Sequence, residues 1–203
     1  MQRIKKYEVI CFLDTETTGV YWNKDAPVQL AAIICDSYGN ILDKFNEKIK
    51  TTHKIAPEAS KVHGIYAKDL ENCRQERVVL MDFTSWLTNW EVDVIITYNG
   101  EAFDRRMLNE RCKVLKINTE YFDKERFPGI DGYYDCVQYA KKQNMFNLKE
   151  LGRKWKLTLV AEKLGFSTEN AHDAYADIIM LKNIFYMVDP LVHPDDWEDK
   201  KKD

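Results

Sequence analysis

Four carboxylates and one imidazole in this 203-residue chain have the types and spacing to do chemistry together. Asp14 and Glu16 stand two apart in "VICFLDTETTGV", where an apolar run ends. Residues i and i+2 of an extended strand share a face, so both acids would point the same way. Asp104, in "YNGEAFDRRML", precedes Met107 and Leu108 by three and four residues and would lie on their helical face. Asp177, in "AHDAYADIIMLKNIF", lies beside a stripe of Ala174, Ile178, Leu181 and Phe185. Taken singly, these acids could be exit-turn residues or helix N-terminal charges. If they converge, each like-charge pair at about 4 Å costs roughly 4 kcal/mol at an effective dielectric near 20. Such a cluster needs cations or retained protons. An all-oxygen donor set suits hard ions such as Mg²⁺ or Mn²⁺, whereas zinc prefers His or Cys. Two such ions about 3.5–4 Å apart would clamp the attacking and leaving oxygens of a phosphodiester displacement.

His172 precedes Asp177 by five residues, roughly 140° round a helix, so the two do not share one straight helical face. The spacing predicts His172 on a loop or first turn with Asp177 one turn inside. A loop imidazole, titrating at about 6.5 in water, can take a proton from an attacking water molecule. His53 and His193 read as ordinary surface or hydrogen-bonded histidines.

The elements that must position these groups follow from periodicity. "YEVICFL" is apolar on both alternating faces, as a central strand should be. "VQLAAIIC", the turn "SYGN" and "ILDKFNEKI" predict an antiparallel hairpin. "APEASKVHG" predicts a short helix with Pro57 near its start and Gly64 past its end. Phe83, Trp86, Leu87 and Trp90 mark an amphipathic helix, and "VDVIITYNG" another buried strand. "FDRRMLNERC" and "NLKELGRKWKL" read as helices, Pro128, Gly129 and Gly132 as a loop, and a last helix runs from about Ala174 to Val188. Strands alternating with helices after an initial hairpin predict an α/β domain with a mixed sheet. It would span residues 1–190, with a charged tail over 191–203.

Hydrophobic residues at 45% and charged residues at 31% are ordinary globular values and exclude disordered and fibrous classes. A formal charge of −3 and a pI near 5.9 exclude a strongly basic nucleic-acid coat, but not a protein that grips one end of a strand. Five scattered cysteines with no C-x-x-C argue against a disulfide framework or zinc site. No apolar run approaches the length of a membrane span, so a soluble protein in the reducing cytoplasm is expected.

"FLDTETTGV", "ITYNGEAFDRRML" and "AHDAYAD", in this order, resemble the three motifs of the DEDDh exonucleases, the DnaQ-like 3′-to-5′ exonuclease family. "PVQLAAI" resembles that family's second strand, "ASKVHGI" its short helix, and "NLKELGRKWKL" the helix before the third motif. The resemblance covers about residues 7–188. It implies a ribonuclease H-like α/β fold: a mixed five-stranded sheet, antiparallel then parallel, flanked by helices. It also implies that Asp14, Glu16, Asp104 and Asp177 bind two divalent cations and that His172 is the general base. Thr17 would lie near the terminal 3′-hydroxyl, and Val20 would wedge against the last bases. His63 would line the terminal-nucleotide pocket, and Tyr98, Asn99 and Phe103 would contact sugar or bases. Asp135 matches a position the family uses structurally. Asn99 precedes Asp104 by five residues, a spacing closer to free-standing exonucleases than to proofreading subunits. Residues 141–156 carry six basic residues and one acid; Lys149, Arg153 and Lys156 on one face would meet upstream phosphates, as would Arg105 and Arg106. The expectation is a metal-dependent 3′-to-5′ exonuclease releasing 5′-mononucleotides from single-stranded DNA. The alternatives are an exoribonuclease with the same site, and a phosphomonoesterase or nucleotidase. Glu16 breaks the D-x-D that a haloacid-type phosphatase needs, and a catalytically dead binding module would have lost one of the five groups.

Overall fold

The structure, a computed structural model, describes residues 7–100, 102–122, 133–135 and 155–188. β1 (Val9–Thr17) is central because both of its faces are apolar, and every residue from Ile10 to Leu13 is fully buried. It pairs antiparallel with β2 (Pro27–Asp36), which pairs antiparallel with β3 (Ile41–Lys50) through the predicted hairpin. On its other side β1 runs parallel to β5 (Val94–Thr97), and β5 parallel to β6 (Tyr133–Asp135). The mixed five-stranded sheet is therefore present. A two-residue strand, β4 (Arg74–Gln75), extends it beyond β3, giving the order β4-β3-β2-β1-β5-β6.

Helices cover both faces. α2 (Glu76–Asn89) lays Val79, Leu80, Phe83 and Leu87 on the face formed by Cys11, Leu13, Leu30 and Ile95. α3 (Asp104–Val114) adds Leu108 and Cys112 to that layer. Its Arg111 forms a two-pronged pair with Glu76 of α2 at 2.6 and 2.7 Å. The Asp43 carboxylate on β3 accepts from the indole nitrogens of Trp86 and Trp90 at 2.8 and 2.9 Å, tying the end of α2 to the sheet. On the opposite face, α5 (Ala174–Val188) packs Ala174, Ile178, Leu181 and Phe185 onto Ile10, Phe12, Ala31 and Ile33. Phe12 meets Phe185 edge-on at 5.4 Å between ring centres. The last helix thus has the predicted bounds and stripe.

α1 (Pro57–His63) starts at Pro57 and ends in Gly64. Gly64 has φ +72° and returns its amide to Ser60 O, a left-handed cap that favours glycine. α4 (Leu157–Lys163) was not expected; it is short, and no side chain caps its start. Trp155 and Lys156, read as part of the helix in "NLKELGRKWKL", are not helical. The rest of that segment, the glycine-rich loop and residues 191–203 lie outside the described residues. Among the described residues, no helix is long and apolar enough to cross a membrane. Cys11, Cys35, Cys73 and Cys112 are all unpaired.

Candidate active site

The α5-facing row of β1 runs Ile10, Phe12, then Asp14 and Glu16, so a buried apolar row ends in two carboxylates. The first turn of α5 brings Asp177 to the same place. One oxygen from each of Asp14, Glu16 and Asp177 lies within 4.8 Å of the others. Burial pushes the Asp14 carboxyl well above the usual range, and the charges of Asp104, Glu16 and Asp177 push it further. Burial, then Asp177, Asp104 and Asp173, raise Glu16 to about 8. Burial also raises Asp177, against the opposing effect of a hydrogen bond from the His172 backbone. Carboxyls this crowded hold protons or share a cation. A compact, all-oxygen set suits a hard divalent ion.

Asp104 is not among the oxygens that meet within 4.8 Å. It is buried at the start of α3, where its Oδ1 accepts from the Thr15 hydroxyl at 2.5 Å. Thr15 belongs to the opposite face of β1 from Asp14, so Asp104 reaches the strand from the α3 side. The turn before α3 closes tightly: a Cβ on Gly100 would sit 2.7 Å from the Thr97 side chain and 3.0 Å from Asp104 Oδ2.

His172 stands on the loop before α5, as its spacing predicts. Its φ of +71° is uncommon for a residue with a side chain. Its amide donates to Asp177 Oδ1 at 3.1 Å. Asp173 follows, and its Oδ1 accepts from the amides of Tyr175 and Ala176 at 3.0 and 3.2 Å, capping the helix. His172 lines a cavity of about 400 Å³ with Tyr98, Asn99, Trp155 and Lys156. Asn99 also has positive φ, +65°, and the Tyr98 hydroxyl donates to Trp155 O at 3.3 Å.

A second cavity, of about 610 Å³, opens on the Glu16 side and contains Thr17, Val20, Val62 and His63. Val20 is 76% exposed and Val62 55%, so its walls are apolar surface left facing solvent. The Thr17 hydroxyl donates to Gly19 O at 2.7 Å. His63 Nδ1 accepts from the Ile65 amide at 3.0 Å, which leaves the proton on Nε2 to donate to Thr17 O at 3.2 Å. Burial lowers the His63 pKa, opposed by the Thr17 bond, and the neutral ring is the form these bonds require. The loop after β1 is pinned by Asp25, which accepts from Thr18 Oγ1 and the Tyr21 amide.

Of the expected contact residues, Thr17, Val20 and His63 gather at one cavity, and Tyr98 and Asn99 at the other. Phe103 is half-buried just before α3 and lines neither. Asp135 lies in β6 opposite Thr97. Of the basic segment only Lys156 is described, exposed at the rim of the His172 cavity; Lys149 and Arg153 lie outside the described residues. Arg105 Nη1 donates to Phe122 O at 3.0 Å, and Arg106 stacks over Trp22. Sequence reading missed Gln29 and Asp173. Their signals were a lone amide inside "PVQLAAII" and an Asp at a helix start.

A fold with β1 central and two helical layers, holding acids from three elements at one strand end, defines a nuclease-like α/β class. Comparison with known proteins narrows it. Residues 11–185 match the model of the RNase T-type family, described as "Exonuclease". The chain belongs to that family, the DnaQ-like 3′-to-5′ exonucleases. The PolC-type DNA polymerase III of Thermotoga petrophila is 31% identical over 85% of this chain and 11% of its own. The DNA polymerase III subunit epsilon of Treponema pallidum is 26% identical over 85% of this chain and 72% of its own. This chain thus spans about a tenth of the PolC-type relative and most of the epsilon subunit. The zinc-bound E. coli exonuclease I–single-stranded DNA complex superposes with TM-score 0.76 at 20% identity, over 93% of this chain and 42% of that one. E. coli exonuclease I with a dA16 oligonucleotide gives 0.76 at 22%, over 92% and 42%. These two establish the fold. Both of these relatives by sequence are DNA polymerase III chains.

Proposed function

We propose that the chain removes nucleotides one at a time from the 3′ end of single-stranded DNA, releasing 5′-mononucleotides, at the carboxylate cluster on β1. The observation that carries this is the meeting of Asp14, Glu16 and Asp177 within 4.8 Å, beside an apolar cavity of nucleotide size. Asp14, Glu16, Asp177 and, from α3, Asp104 would hold two divalent cations, Mg²⁺ or Mn²⁺. Bound there, the ions supply Lewis-acid stabilisation of charge on the reacting phosphate oxygens. The His172 ring accepts the proton of the attacking water. Thr17 lies beside the terminal sugar, with Val20 and Val62 against the last base. His63 fixes the Thr17 carbonyl through its Nε2–H. On the other side of the cluster, Tyr98, Asn99 and Lys156 border the path of the preceding nucleotide. Single strands are favoured because a splayed base can enter an apolar pocket and stack there. DNA is favoured over RNA by the likeness to polymerase III chains. The unpaired cysteines fit a reducing compartment such as the cytoplasm.

The test uses 5′-labelled single-stranded DNA and RNA of one sequence with Mg²⁺, Mn²⁺ or EDTA, and Asp14→Ala alongside. A ladder shortening from the 3′ end, dependent on metal and absent in the variant, is expected, faster on DNA. Digestion that survives EDTA, or that starts at the 5′ end, would overturn the reading. Faster loss of RNA would assign the chain to RNA ends instead.

A further inference from the structure

Gln29 is 3% exposed, an amide inside an apolar strand, and its two N–H groups are both spent across long distances in the chain. One donates to Asn46 Oδ1 on β3 at 3.1 Å and the other to Asp173 Oδ2 at 3.1 Å, 144 residues away. Gln29 stands directly opposite Glu16 in the antiparallel β1–β2 pair, so the two side chains share the α5-facing side of the sheet. Asp173 uses its other oxygen to cap α5, and its carbonyl accepts the Asp177 amide at 3.0 Å. A single carboxylate therefore joins the first turn of α5 to the sheet, through one amide.

We propose that Gln29 is a positioning residue for the exonuclease site, holding Asp173, and through it His172 and Asp177, at a fixed distance from Glu16. The inference rests on the proposed exonuclease reading for its kinetic consequence, but not for its structural one. His172 and Asp177 flank Asp173 in sequence and are joined by the His172 N–H to Asp177 Oδ1 bond, so a shift of the cap moves both. His172 also holds a left-handed backbone, a conformation that persists only where neighbours enforce it. Asp173 sits among like charges, being one of the groups that raise Glu16 and Asp177. Without a donor on Oδ2, repulsion would swing it and the cap away from the sheet. Asn46 completes the device: it accepts Gln29's other N–H and keeps the amide from turning its oxygen toward Asp173.

The test compares Gln29→Leu, Gln29→Glu and the double variant Gln29→Glu/Asp173→Asn with wild type. In the double variant the bond is reversed. The carboxylate introduced at position 29 accepts from the amide introduced at position 173, whose own oxygen still caps the helix. On a single-stranded oligonucleotide, Gln29→Leu and Gln29→Glu should lower kcat roughly 10- to 100-fold, with KM changed less than about twofold. The double variant should recover most of kcat. Amide hydrogen exchange of the same proteins without metal should speed up at Tyr175 and Ala176 in the single variants, with β1 and β5 unchanged. Unchanged exchange at those amides, or a melting temperature that falls with kcat intact, would overturn the proposal. A kcat loss that the double variant does not recover would overturn it as well. If wild type digests neither DNA nor RNA, the exonuclease reading fails by itself, and the exchange data still decide whether Gln29 holds the start of α5.

Discussion

Replacing Glu16 by glutamine should stabilise the metal-free protein while removing its activity. The carboxyl is raised from an ordinary value of 4.5 to about 8, burial being the largest cause and Asp177 and Asp104 the next. An acid that holds its proton more tightly folded than unfolded loses stability over the pH range in which the unfolded chain has ionised while the folded carboxyl still keeps its proton. Its contribution is fully present below about pH 4.5 and is lost as pH rises through the window to about 8. At roughly 1.4 kcal/mol per pH unit, the whole window bounds the loss at ~5 kcal/mol. Glu16 is only partly buried, so water reaching the carboxylate screens its neighbours; about half, ~2–3 kcal/mol, is the expected effect. For a chain of this size each kcal/mol moves the melting temperature by about 2–4 °C.

Thermal unfolding in EDTA at pH 8.5 should therefore place Glu16→Gln roughly 5–10 °C above wild type, with the gap closing at pH 4.5. Millimolar Mg²⁺ or Mn²⁺ should raise wild type and narrow the difference, because a cation relieves the same repulsion that the substitution removes. The exonuclease assay should find the variant inactive throughout. A variant that melts at or below wild type in EDTA at pH 8.5 would refute the claim that Glu16 is held against its neighbours' charges. A gap that is the same at pH 4.5 and 8.5 would refute its attribution to the Glu16 proton.

Other perturbations separate the parts of the site. His172→Ala should lower kcat about 10²- to 10⁴-fold while keeping the melting-temperature gain from Mn²⁺, since the ring is no part of the carboxylate cluster. Equal loss of both would make His172 a structural or ligand group. Val62→Glu, at an exposed position on the apolar cavity, should leave the melting temperature within about 2 °C and raise KM for oligonucleotides at least roughly tenfold, measured by steady-state kinetics. Asp43→Ala strands two indole N–H groups and should cost about 1–3 kcal/mol in urea unfolding with kcat unchanged.

What could be read from the residues, and what could not, divides along sequence distance. The face shared by Asp14 and Glu16 follows from a two-residue period, and the bounds of α5 from a stripe within fifteen residues, so both were legible. Asp104 was legible as a buried acid, because its helical phase with Met107 and Leu108 is local. Its bond to Thr15 was not, since that depends on α3 packing on the side of β1 away from Asp14. Phe103 was expected to touch substrate from motif position alone, and it lines neither of the two cavities. α4 has seven residues and no side-chain cap at its start, so neither period nor capping signal marks it. The Gln29–Asp173 bond lies furthest from reach: its two ends are 144 residues apart, and each alone has an ordinary reading, as a stray polar residue or a helix cap. Only the fold brings them together, and where it does so is beside Glu16. The acids of the cluster can be read from local periods; what holds the last of them in place is long-range, and a substitution at Gln29 tests that part of the site without touching a carboxylate of the cluster.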